Sequence, residues 1–204
     1  MKLANLSKSQ RWMRPVHAYS SMLMLLIMLF FTVSGLTLNN RHWVPSPPAP
    51  LEGEIELHPD FVAFFQQQPV DHSGAEPLWQ ILRNELRLPD GELSADWSAS
   101  EQLLTLDVRR PGGYTLIEIL PEEDLIWYEH QTFGWMAVIN DLHMGRYSGE
   151  LWSWFIDLSA IVMLVFTLSG FWLVLFHPRR RNPTLALSGL GTLVMVGIYA
   201  WFLF

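Results

Sequence analysis

The stretch "AYSSMLMLLIMLFFTVSGLTL", Ala18–Leu38, decides the fold, because it carries no charged side chain from end to end. A helix rises about 1.5 Å per residue, so roughly 20 such residues cross about 30 Å of hydrocarbon. Lipid offers backbone N–H and C=O groups no partner, and a helix satisfies them internally. Two further runs share the character, Leu158–Phe176 and Thr184–Phe204. Half of all residues are hydrophobic, more than a soluble domain usually carries. The expected fold is an integral membrane α-helical protein with three transmembrane helices, over 18–38, 151–176 and 184–204. The first run is longer than a signal-peptide core and ends in "LTLNNRHW" without a small-x-small cleavage site, which reads as an uncleaved anchor.

Basic residues set the expected orientation. Lys2, Lys8, Arg11 and Arg14 precede the first span, and Arg179, Arg180 and Arg181 follow the second. Lys and Arg favour the cytoplasmic side. Segment 41–150 holds 6 Arg against 19 Asp and Glu, a net of −13. That places 1–17 and the loop 177–183 inside, and 39–150 and the C-terminus outside. Trp43, Trp152, Trp154, Trp172 and Trp201 fall near the span ends, where indoles favour the headgroup level. The absence of cysteine excludes disulfides, thiolate metal sites and covalent c-type haem.

The outer segment opens with "VPSPPAPLEGEIELHP", a Pro-rich acidic linker expected to be extended. "EPLWQILRNELRL" (Glu76–Leu88) sets Leu78, Ile81, Leu82 and Leu86 on one face of a short amphipathic helix. "LLTLDVRR", "YTLIEIL" and "LIWYEHQ" alternate as strands, with turns at "PGG" and "PEED". A small α+β domain follows, one helix against an antiparallel meander. Trp135, Val138, Ile139 and Leu142 suit an amphipathic turn on the membrane surface. His58, His72 and His130 read as solvated. No phosphate-cradling glycine loop and no basic nucleic-acid patch is present, and the acidity favours cationic or metal-bearing partners over anionic ones.

The histidines at the span ends are the candidate site. His17 and Gly35 stand about five full turns apart on one face of the first helix, with Met24 and Met28 close to it. On the second, Gly170, Met163, Phe166 and Ser159 fall on or near the face of His177. In one reading the small residues let helices pack closely. In the other, glycine makes room for a flat macrocycle and histidine binds its iron. Asp157, the one acid near a span, reads as a helix cap or a partner for Arg146, with a proton-relay role as the alternative.

"FFTVSG" (Phe30–Gly35) returns as "VFTLSG" (Val165–Gly170). "RWMRPVHAYSSMLMLLIMLFFTVSGLTLNN" resembles the opening helix of the PepSY-associated transmembrane family, and "LHMGRYSGELWSWFIDLSAIVMLVFTLSGFWLVL" resembles its later helix. The resemblance implies a single PepSY-like periplasmic domain and a bacterial inner membrane. The two helices run in opposite directions, so each FTxSG end is expected beside the other helix's histidine end. Larger members are inner-membrane reductases that carry b-type haem on membrane histidines and reduce ferric siderophores or serve periplasmic flavoproteins. Carried over, this implies haem b with His17 and His143 as axial ligands. His177 lies outside the family pattern but at the level of His17, so His17–His177 is a candidate pair; His143 would pair with His42 or with a second protomer. Three spans, one domain and no flavin or nicotinamide fingerprint leave two expectations. One is an electron-transfer subunit serving a periplasmic redox or siderophore-related partner. The other is a non-enzymatic, membrane-anchored binding or assembly module without haem.

Overall fold

The computed structural model describes residues 2–56, 72–121 and 123–203. His58 and its linker neighbours 57 and 59 lie outside the described residues. Among the described residues three helices are long and apolar enough to cross a membrane: α1 (Lys2–Asn39), with its apolar stretch from Gln10, then α4 (Gly149–Leu175) and α5 (Arg181–Leu203). Helix α1 starts well before the expected span and accommodates Pro15 internally. The chain divides into two compact units. One comprises 1–29 with 157–204, the other 30–156.

Within the first unit α1 and α4 run antiparallel. Gln10 Nε2 donates to Phe176 O at 3.0 Å, and His17 meets Phe166 and Ser169. Each residue gained along α1 thus steps back along α4. Met24 and Ser169 are buried in this unit, while most other side chains of both helices face outward, as lipid-facing residues do.

The second unit carries a five-stranded antiparallel sheet in the order β1-β5-β4-β3-β2. Its strands are β1 (Leu51–Glu56), β2 (Glu92–Ser98), β3 (Leu103–Arg110), β4 (Gly113–Leu120) and β5 (Leu125–Thr132). Helix α2 (His72–Leu86) covers one face. Ala75, Leu78, Trp79 and Leu82 pack on Leu104, Leu106, Ile117, Ile119 and Ile126 in one core. The expected three-stranded meander is present as β3–β5, but the sheet extends one strand beyond it at each edge. Strand β1 lies inside the Pro-rich linker, pairing Leu51–Glu56 with Leu125–His130 of β5.

Helix α3 (Trp135–Met144) ends at Gly145, whose φ of 67° is the left-handed turn that glycine adopts freely, with its N–H on the carbonyls of Asp141 and Leu142. It packs through polar contacts rather than only lying on a surface. Thr37 Oγ1 donates to Asn140 Oδ1 at 2.6 Å, the Gly112 N–H donates to Asp141 Oδ2 at 2.8 Å, and Trp152 Nε1 donates to Leu142 O at 2.8 Å. The first of these bonds ties the last turn of α3, and with it His143, to α1, and the others tie it to the β3–β4 turn and to the start of α4.

Candidate functional site: two histidine clasps

In the first unit His17 reaches the FTxSG stretch of α4. Its Nδ1 lies 3.1 Å from Phe166 O and 3.1 Å from Ser169 Oγ. The imidazole stacks on the Phe166 ring, centroids 4.8 Å apart and planes 9° from parallel. Gly170 lets the ring in: a Cβ there would stand 2.9 Å from His17 Cε1. Ser169 Oγ donates to Phe166 O at 2.9 Å and is 5% exposed.

The second unit repeats the arrangement with a histidine of α3 on the motif of α1. His143, at the end of α3, reaches the FTxSG stretch of α1. Its Nδ1 lies 2.7 Å from Ser34 Oγ. Its ring meets Phe31 edge-on at 5.2 Å and 68°. A Cβ on Gly35 would stand 3.5 Å from His143 Cε1, an ordinary contact. Ser34 is fully buried and donates to Phe30 O at 2.6 Å. The same three motif residues therefore receive an imidazole in each unit: Phe beside the ring, Ser on Nδ1, and Gly against Cε1.

The hydrogen bonds select a tautomer. A serine hydroxyl has one proton, and Ser34 and Ser169 each place it on the carbonyl of the preceding turn. Each can then only accept from the imidazole, so Nδ1 carries the ring proton. At His17 the nearby Phe166 carbonyl, an acceptor only, requires the same. In the neutral ring Nε2 keeps its lone pair.

Of the expected site residues, His17 and Gly170 come together, as do His143 and Gly35. His177 does not join His17. It sits exposed in the turn after α4, where its backbone N–H donates to Val174 O and its carbonyl accepts from the N–H groups of Arg180 and Arg181. His42 is exposed in a 3-10 turn (Arg41–Trp43), with its ring against Trp43. Asp157 is exposed on α4 and forms no ion pair among the described residues.

A six-coordinate haem needs two axial nitrogens facing across a slot wide enough for the porphyrin. Here His17 lies flat on a phenylalanine with its edge on Gly170, and among the described residues no second imidazole contacts it. Among the described residues no group of three or more metal-binding side chains occurs. The apolar cavity nearby, about 380 Å³, is lined by Met13, Val16, Val165, Leu168, Ser169 and Trp172 rather than by His17. A bis-histidine haem does not fit the helix pair as it packs within one chain.

A family model described as PepSY_TM-like matches residues 9–204. No curated protein and no solved structure gives a match. The match spans the helices, both FTxSG stretches and the sheet domain together, and on that extent the chain belongs to the PepSY_TM-like family of membrane proteins.

Proposed function

We propose that the chain is a membrane-anchored binding module. Its helices hold the PepSY-like domain at the bilayer, and the sheet face turned away from α2 docks a cationic or metal-bearing partner. Basic residues before the first span and after the second, which fall on one side of the membrane, support a bacterial inner membrane location, with the N-terminus cytoplasmic and the acidic domain and the C-terminus periplasmic.

The character of that sheet face carries the reading. Alternation along the strands turns Asp107, Glu118, Trp127 and Glu129 away from α2, and all four are partly exposed. Glu54 pairs with Trp127 and Glu52 with Glu129 on the edge strand, and both glutamates are exposed. Carboxylates set beside one another on neighbouring strands repel. Trp127 lies between Glu54 and Glu118, neither of which forms an ion pair among the described residues, and such a site suits a partner that brings positive charge. Carbodiimide coupling in whole cells, which joins carboxylates to amines, tests this. Cross-linked peptides containing Glu52, Glu54 or Glu118 are expected, and the triple Gln variant should abolish them while still folding. No cross-link at these positions in the native chain would reject the docking face.

A second reading is favoured by the imidazole tautomer. An Nε2 lone pair with Nδ1–H fixed by a hydrogen bond is the form in which histidine ligates metals. In that reading His17 and His143 would each hold a haem b through Nε2, with another copy or a partner subunit completing the site, and the chain would serve a periplasmic acceptor in ferric-siderophore reduction. Haem bound there would supply one-electron chemistry, and His17 and His143 would hold it. A reduced-minus-oxidised spectrum after expression with haem supply separates the two. Soret and α bands that vanish in both His17→Ala and His143→Ala support the redox reading, and a flat spectrum removes it.

A further inference from the structure

The inter-span domain is strongly acidic, yet four of its arginines converge on one cavity. Arg41, Arg109, Arg110 and Arg146 line a space of about 500 Å³, with Asp141 as the single carboxylate among the lining residues. The segment 41–150 holds only 6 Arg. Like charges gathered at one point repel, so such a cluster costs stability unless anions neutralise it.

The neutralisation inside the chain is incomplete. Arg109 is engaged, with Nε 2.9 Å from both carboxylate oxygens of Asp107 and its guanidinium over the Tyr114 ring. The Asp141 Oδ2 already accepts the Gly112 N–H. Among the described residues Arg41, Arg110 and Arg146 have no carboxylate within ion-pair distance. Arg110 Nε is buried and has no hydrogen-bond partner. Its guanidinium lies across Gly113, where a Cβ would stand 3.3 Å from Nη2. A buried guanidinium N–H without an acceptor is costly, and a ligand oxygen removes the cost.

The cavity also has an apolar side at the membrane ends of the chain. Leu38 closes α1, Val44 follows it, and Met144 and Arg146 precede α4. Guanidinium groups match the planar pairs of oxygens on phosphates, and basic pockets beside membrane helices hold lipid headgroups.

We infer that this cavity binds a phosphate-bearing anion, received between Arg110, Arg146 and Arg41 at the point where the domain meets the first two spans. The same chemistry comes from two sources, an anionic phospholipid headgroup or a soluble phosphate ester.

The test uses the full chain in a non-ionic detergent. Short-chain phosphatidylglycerol and short-chain phosphatidylcholine are compared by native mass spectrometry, and glycerol 3-phosphate by calorimetry. Preferential retention of phosphatidylglycerol, weakened by about tenfold in the Arg110→Gln/Arg146→Gln variant and unchanged in Arg83→Gln/Arg87→Gln, supports a lipid site. Glycerol 3-phosphate binding with the same arginine dependence supports a soluble ligand. Arg110→Lys, which keeps the charge, separates loss of binding from loss of folding and should retain part of the affinity. No binding of glycerol 3-phosphate together with equal retention of the two lipids overturns the inference. So does equal weakening by both pairs of Gln substitutions.

Discussion

At the residue scale the two clasps differ in one measurable way. A Cβ at Gly170 would press to 2.9 Å from His17 Cε1, whereas one at Gly35 would rest 3.5 Å from His143 Cε1. Gly170→Ala must push the ring off Phe166 or spread the helices, at a cost of about 1–3 kcal/mol, typical of overpacking. Gly35→Ala should fall within about 0.5 kcal/mol of the native chain. Thermal unfolding in detergent reads both, and equal effects would show that the approach at Gly170 is not as tight as described. Ser34→Ala and Ser169→Ala each remove one interhelical hydrogen bond, with an expected loss of about 0.6–2 kcal/mol. Outside the membrane, burial and then the charge of Arg110 hold His130 below the usual histidine value. The unfolded chain therefore takes up a proton at a pH where the folded chain does not. The resulting stability is complete above the ordinary histidine pKa and declines as pH falls from there toward the lowered folded value. Unfolding midpoints across that range should show this slope, and His130→Gln should flatten it. An unchanged slope in that variant would assign the pH dependence to the carboxylates.

At the element scale the central strands were plain in the residues and the edges were not. Strands β3 and β4 alternate buried and partly exposed residues, as "LLTLDVRR" and "YTLIEIL" suggest, while β5 buries only Ile126 and Gln131. Strand β1, "LEGEIE", has no buried residue and carries a glutamate at every second position. Such polarity suits an edge strand, where charge discourages further pairing, but it hides the strand among linker residues. Strand β2, at the other edge, buries only Leu93. Helix α2 was legible as amphipathic, with its face set slightly wrong. Ala75, Leu78, Trp79 and Leu82 centre the buried stripe, and Ile81 lies about 110° away from its middle. Ile81 is 53% exposed and Trp79 fully buried. Trp79→Ala should cost about 3–5 kcal/mol, while Ile81→Ala should cost well under half of that. Chemical denaturation of the domain's fluorescence measures the difference, and similar losses would contradict the assigned face.

At the scale of the whole molecule, the repeated FTxSG foretold that each motif would meet the other helix's histidine. It did not tell what the glycine was for. Spacing alone fits a glycine facing a macrocycle or one facing a side chain. The structure shows an imidazole against each glycine. The arginine cavity was hidden for another reason, since its members are scattered from residue 41 to residue 146 and only folding gathers them. The proposed topology has its own check. Alkaline phosphatase fused within the inter-span domain or at the C-terminus should be active, and fused after Arg181 inactive; the reverse pattern would invert the orientation. Serine hydroxyls hold two membrane imidazoles by Nδ1. Nitrogen-15 spectra of the histidine-labelled chain, which has 7 histidines, test it most directly. His17 and His143 should show a protonated Nδ1 and an unprotonated Nε2, and Ser169→Ala and Ser34→Ala should each perturb only its own ring. Both rings in the Nε2–H form, indifferent to either serine, would contradict the account.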